Sequence, residues 1–155
     1  MIVTTTYFNS QVLANLIESV TSGSFTGILA STKVMLFTNN LPLTPDILLS
    51  NLTEATFNGY ARSATLTWGS TINEVDGSVS FFAQALTFRV NSTTPLVPNT
   101  IYGYGVVDEV STPDLLFAEL FPLPIGVQNP GDGFILVPKF NYGPSNPNSS
   151  AAVLR

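Results

Sequence analysis

Residues 86–120 read LTFRVNSTTPLVPNTIYGYGVVDEVSTPDLLFAEL. Between its turn signals the stretch alternates with the period of two that places successive side chains on opposite faces of a β-strand. Residues 100–108 form one predicted strand and residues 115–121, LLFAELF, its antiparallel return across the turn EVSTPD, with Pro122 and Pro124 closing it. In the first of these, a regular pleat puts Tyr102, Tyr104 and Val106 on one face and Gly103 and Gly105 on the other. Glycines inside a strand mark the close approach of another backbone or a large side chain. Phe82, Phe88 and Trp68 are the aromatics expected to cross them.

Working outward, most of the chain after Phe57 reads as strand and turn. Residues 60–68, YARSATLTW, alternate, with Tyr60, Arg62, Ala64, Leu66 and Trp68 facing the core and Ala61, Ser63, Thr65 and Thr67 facing water. The Asp-Gly pair in NEVDG, residues 73–77, predicts a tight hairpin between strands at 66–72 and 78–90, the second long enough to require a bulge or bend. NPGDG at 129–133 is another turn, and 134–142, FILVPKFNY, is a last strand whose Pro138 points to an edge or a bulge. Before this β region lie a short strand, KVMLFT at 33–38, and a one- or two-turn helix with Thr44 as N-cap, Pro45 at its first position and Asp46 in its first turn. Val12, Leu13, Leu16, Ile17 and Val20 recur at helical spacing behind Asn9 and Ser10, and Gly23 ends that helix. The expected architecture is therefore all-β, a β-sandwich or jelly-roll-like barrel with a short N-terminal α-helix. The chain divides into an N-terminal helix or arm (1–23), a single β-domain (24–142) and a polar tail (143–155).

Composition limits the chemistry. The 155 residues include only 10% charged side chains, against about 25% in ordinary soluble domains. Lys plus Arg number 5 against 10 Asp plus Glu, a net charge of −5, so no basic stripe is available for phosphates and nucleic acid is not an expected partner. Cysteine and histidine are absent, which removes disulfides, thiolate and imidazole metal sites and the Ser-His and Cys-His nucleophiles. No stretch approaches the ~20 apolar residues of a membrane span, and the first thirty residues lack the pattern of a secretory signal, so the expected setting is a cytoplasm or an assembly built there. Three N-x-[ST] matches, at Asn51, Asn91 and Asn148, are what a chain rich in Asn, Ser and Thr produces by chance.

Few candidate sites remain, and no cofactor is expected. Asp108, Glu109, Asp114 and Glu119 cluster around one predicted hairpin and Asp132 near the next, as solvated turn residues do. The alternatives are a hard-cation site or an acid–base pair built from Asp108 and Glu119. Glu119, inside LLFAELF and sharing a face with Leu115, Phe117 and Phe121, calls for a partner, Arg62 or Arg89. Trp68, Tyr102 and Tyr104 are the candidate interaction or ligand face if exposed, and core residues if not.

The order of KVMLFTNNLPLTPDILLSNLTEATFNGYAR, a Trp, IYGYGVVD, LLFAELF and GDGFILVPKF, over residues 33–140, resembles small structural proteins from the virion modules of tailed bacteriophages, of the capsid decoration or auxiliary type. LTEATFNGYAR (52–62) and IYGYGVVD (101–108) are its most specific parts. The resemblance implies a non-enzymatic virion component, assembled in the host cytoplasm, that binds the major capsid protein or other virion proteins as a homo-oligomer, a trimer being favoured. The competing expectation is a receptor- or glycan-binding module of a tail fibre or baseplate that uses Trp68, Tyr102 or Tyr104.

Overall fold

The computed structural model describes residues 6–8, 31–44, 46–69, 72–73, 79–91, 96–109 and 113–142. The helix expected over residues 10–22 and the tail at 143–155 lie outside them. Among the described residues there are nine strands: β1 (Thr6–Phe8), β2 (Thr32–Phe37), β3 (Ile72–Asn73), β4 (Val79–Phe82), β5 (Leu86–Arg89), β6 (Asn99–Asp108), β7 (Asp114–Val127), β8 (Gly133–Leu136) and β9 (Lys139–Tyr142). They form antiparallel sheets in the orders β1-β7-β6-β2, β3-β4-β9 and β5-β8. The protein is all-β, and none of its described helices is long and apolar enough to cross a membrane.

The four-stranded sheet is buried on both faces, which is why β2 and β6 read as nearly continuous apolar runs. One face carries Val34, Leu36, Tyr104, Val106 and Phe117, covered by Phe57, Leu66, Phe88, Val90 and Leu136. The other carries Met35, Phe37, Val107, Leu115 and Ala118, covered by Leu43, Ile47 and Leu52. The covering segment contains a single 3₁₀ turn, Leu49–Asn51, rather than a helix starting at Thr44. Thr44 closes a turn to Ile47 instead, while the Asn51 side chain accepts the Leu48 N–H.

Two irregularities in the β6–β7 ladder decide which side chains share a face. Val106 pairs with Phe117 but Val107 with Leu115, so Leu116 is an extra residue and joins Phe117 on the first face. Leu115 is thereby sent to the opposite face from Phe117 and Glu119, correcting the regular pleat expected for LLFAELF. Further along, Ile101 pairs with Ile125 and Gly103 with Leu120, leaving Tyr102 opposite residues 121–124. β7 therefore does not end at Pro122. It runs through both prolines as a bulge, a part of a strand that tolerates residues without an N–H. Tyr102 is turned toward the second face, away from Tyr104, so the two tyrosines do not share a side.

Gly103 and Gly105 do mark close approaches, but the neighbours differ from those expected. A Cβ at Gly103 would overlap the Glu119 carbonyl and stand 2.6 Å from Phe37 Cζ, and one at Gly105 would stand 2.8 Å from Leu115 Cδ1. Phe37, Leu115 and Leu52 fill the space assigned above to Phe82, Phe88 and Trp68.

Of the predicted hairpin strands, 66–72 is met only at Ile72, in the two-residue β3, since residues 66–69 are not strand, while 78–90 begins as β4, with Ile72 opposite Ser80. The long strand that follows breaks at 83–85, and the last strand breaks at Val137 and Pro138. β4 pairs with β9 and β5 with β8, one residue out of step across the break, where Ala83 N–H bonds to the Pro138 carbonyl at 2.9 Å. Gly131, at φ 96°, supplies the left-handed position of the 129–133 turn.

Candidate functional site

The alternating segment 60–68 is not a strand. Together with residues 53–59 it forms a strap along the edge of β2 that faces away from β6, its β pairing limited to the isolated bridges Phe37–Glu54 and Trp68–Ala83. An uncovered edge would present a row of unpaired backbone groups. Here Thr38 N–H bonds to Thr53 O (2.8 Å), Ala55 N–H to Leu36 O (2.9 Å), Ser63 N–H to Val34 O (3.0 Å) and Leu66 N–H to Thr32 O (2.7 Å). The remaining edge donors go to side-chain oxygens: Val34 N–H to Ser63 Oγ (2.8 Å) and Leu36 N–H to the Tyr60 hydroxyl (3.0 Å). The Phe57–Tyr60 turn, with Gly59 at φ 90°, makes this possible by folding Phe57 into the core before Tyr60 returns to the edge. Asn99 Oδ1 accepts the N–H groups of Thr56 and Phe57 and ties the strap to the start of β6.

Behind Tyr60 stands a charged network. Its hydroxyl donates to Glu54 Oε1 at 2.9 Å, and Arg62 holds the same carboxylate bidentately, Nε to Oε1 at 2.9 Å and Nη2 to Oε2 at 2.7 Å. Arg62 Nη1 reaches Glu109 Oε1 and Lys33 Nζ reaches Glu109 Oε2, each at 2.7 Å. Burial alone would raise the Glu54 carboxyl; the Arg62 and Tyr60 hydrogen bonds outweigh it and hold it below the usual range. Lys33 first and Arg62 second hold Glu109 down in the same way. Burial pushes the Tyr60 hydroxyl up, and the Glu54 hydrogen bond holds Arg62 more firmly protonated than a free arginine. A tyrosine that keeps its proton and an arginine that keeps its charge are suited to holding, not to proton transfer.

A second tyrosine–glutamate pair sits across the sheet. Tyr104 donates its hydroxyl to Glu119 Oε2 at 2.6 Å and accepts the backbone N–H of Lys139 on β9. Its side chain is only 2% exposed, between Phe117 and Phe121, and burial raises its pKa well above the ordinary value. Glu119 thus meets a tyrosine, not Arg62 or Arg89, because its register partner on β6 is Tyr104 itself.

Of the three candidate aromatics, Tyr104 is a core residue and lies on no exposed face. Trp68 is half-buried against Phe117, its Nε1–H bonded to Thr32 Oγ1 at 3.1 Å, and Tyr102 packs half-buried beside the second core cluster. The structure does not bring the three together. Nor does it join Asp108 to Glu119: Asp108 lies four positions beyond Tyr104, the partner of Glu119, which separates the backbones by roughly 13 Å. Asp132 is a turn residue whose Oδ2 accepts the N–H groups of Gln128 and Asn129, and these hold its carboxyl below the usual range. No group of three carboxylates placed to hold a metal ion occurs among the described residues.

Sequence reasoning missed Glu54 and Tyr60 as polar partners and the Lys33–Glu109 link. The available signal was the common parity of Glu54, Tyr60 and Arg62 within LTEATFNGYAR. Comparison with family models, with curated proteins and with solved structures gives no match.

Proposed function

We propose that the chain is a non-enzymatic virion structural protein of a tailed phage, a decoration protein that binds the major capsid lattice as a trimer or other small oligomer. The observation that carries this reading is the placement of the two stretches most specific to the resemblance. Residues 52–62 and 101–108 flank β2, one on each side, as strap and ladder partner. What resembles virion proteins is thus one contiguous structural unit and not two scattered fragments. In that unit the groups with chemical potential are engaged in holding sheet edges, and elsewhere on the molecule Leu48, Leu123, Ile135 and Val137 face outward. Such a molecule is built to present a stable surface to a neighbour. In this reading the four-stranded sheet and the β5–β8 ribbon form the two layers of a small β-sandwich around the first core cluster.

Mass spectrometry of purified particles from a phage carrying the gene tests the proposal. The chain is expected in the particle at a copy number matching the capsid lattice, and density for it should repeat over the shell in a cryo-EM map. Its absence from particles would end the proposal. The receptor- or glycan-binding alternative is left with Trp68 and Tyr102, each half-buried, since Tyr104 is buried.

A further inference from the structure

Lys33, Arg62, Arg89 and Lys139 are the cations among the described residues. Lys33 and Arg62 belong to the strap network, and the Lys139 ammonium lies 5.1 Å from the centre of the Phe82 ring. Arg89 is exposed, and its guanidinium has no ion-pair or hydrogen-bond partner among the described residues. In a chain with twice as many acids as bases, an unpaired arginine is unexpected.

Its surroundings form a recess. On the outer face of the β5–β8 ribbon, Thr87 stands opposite Ile135 and Arg89 opposite Gly133. Gly133 is required by the close approach of β5, since a Cβ there would overlap the Phe88 carbonyl and Arg89 Cα. The missing side chain leaves a notch beside the guanidinium. Thr87, Phe88, Arg89, Gly131, Gly133, Phe134 and Ile135 line a volume of about 220 Å³. Arg89 Nη2 lies over the bare turn, 3.6 Å from where a Cβ of Gly131 would be. The acid of that turn, Asp132, directs Oδ2 to the N–H groups of Gln128 and Asn129 instead. Ile135, 70% exposed, supplies an apolar wall.

A guanidinium with its fork free binds carboxylates and phosphates in the same bidentate way. The recess is shallow, open to solvent and below the ~300 Å³ of ordinary ligand pockets, so it takes one small molecule at most. The net charge of −5 opposes polyanions, so a single negative charge on a compact body fits best.

We infer that the outer face of the β5–β8 ribbon binds a small monocarboxylate, its carboxylate on Arg89 and its body against Ile135. The site is independent of any role in a virion. The test is an amide NMR titration of the full chain with glucuronate and with isobutyrate, against glucose and isobutanol as neutral counterparts. At least one acid should shift the amides of Thr87, Arg89, Gly131 and Gly133 saturably, the neutral compounds should not, and Arg89→Gln should weaken binding at least tenfold while leaving the rest of the spectrum unchanged. A response to glucuronate alone assigns the site to sugar acids, and to isobutyrate alone to aliphatic acids. No shift with either acid, equal shifts with the neutral compounds, or wild-type binding by Arg89→Gln would overturn the inference.

Discussion

The Tyr60–Glu54 pair and the Tyr104–Glu119 pair solve one problem in two environments. In each, a backbone N–H at a sheet edge donates to a tyrosine hydroxyl, which donates onward to a glutamate: Leu36 through Tyr60, Lys139 through Tyr104. The first pair lies at the rim of the strap, where Arg62, Glu109 and Lys33 extend it into an ion-pair network. In the second, Tyr104 lies in the core between Phe117 and Phe121 and its hydroxyl reaches out to the half-buried Glu119. The difference follows from solvent. A carboxylate at a wet rim keeps its charge cheaply and recruits cations, whereas inside the sheet a neutral phenol satisfies a buried donor without burying a positive charge. The rim pair should therefore respond to pH and salt, and the core pair to packing.

The largest effect expected is on the core side. Gly103→Val drives a side chain into the Glu119 carbonyl and the Phe37 ring, neither of which can move without opening the β6–β7 ladder. A loss of about 3 kcal/mol or more is expected in urea denaturation. Tyr104→Phe keeps the ring but leaves the Lys139 N–H without an acceptor, at a cost of about 2 kcal/mol that does not change with salt. Tyr60→Phe should cost about 1 kcal/mol, because Tyr60 is only half-buried and water can reach the Leu36 edge in its place. The smallest effect separates the pairs most cleanly. Folding lowers the carboxyls of Glu54 and Glu109, so their stabilisation is fully present above the pH where a free glutamate ionises and disappears as pH falls through the folded values. Arg62→Met should shrink that acid limb and the salt dependence, by less than about 1 kcal/mol at neutral pH, leaving the share that the Lys33–Glu109 pair carries. A series of melts from pH 7 to pH 3 would show it, and an unchanged acid limb would place the titrating groups elsewhere.

Much of this was legible in the chain, and what was missed has a common cause. β2, β6, the β3–β4 hairpin and the 129–133 turn follow from apolar runs, alternation and glycine-containing turns, all local signals. Alternation misled at 60–68 because it reports one-sided burial, and a strap lying on an edge is buried on one side just as a strand is. The prolines at 122 and 124 suggested an end to β7, where a four-residue bulge accommodates them. The partner of Glu119 was sought among arginines because charge is visible in sequence, whereas its true partner depends on the β6–β7 register. Register also separates Tyr102 from Tyr104, so a face inferred from spacing of two was divided by one irregular position.

The central claim is that tyrosine hydroxyls complete the hydrogen bonding of two strand edges. Residue-resolved amide hydrogen exchange on the wild type, Tyr60→Phe and Tyr104→Phe tests it most directly. Leu36 should lose protection selectively in the first variant and Lys139 in the second, with the neighbouring ladder amides changing far less. If both amides keep wild-type protection when their hydroxyl is removed, or if every amide of the sheet changes together, the hydroxyls do not cap these edges.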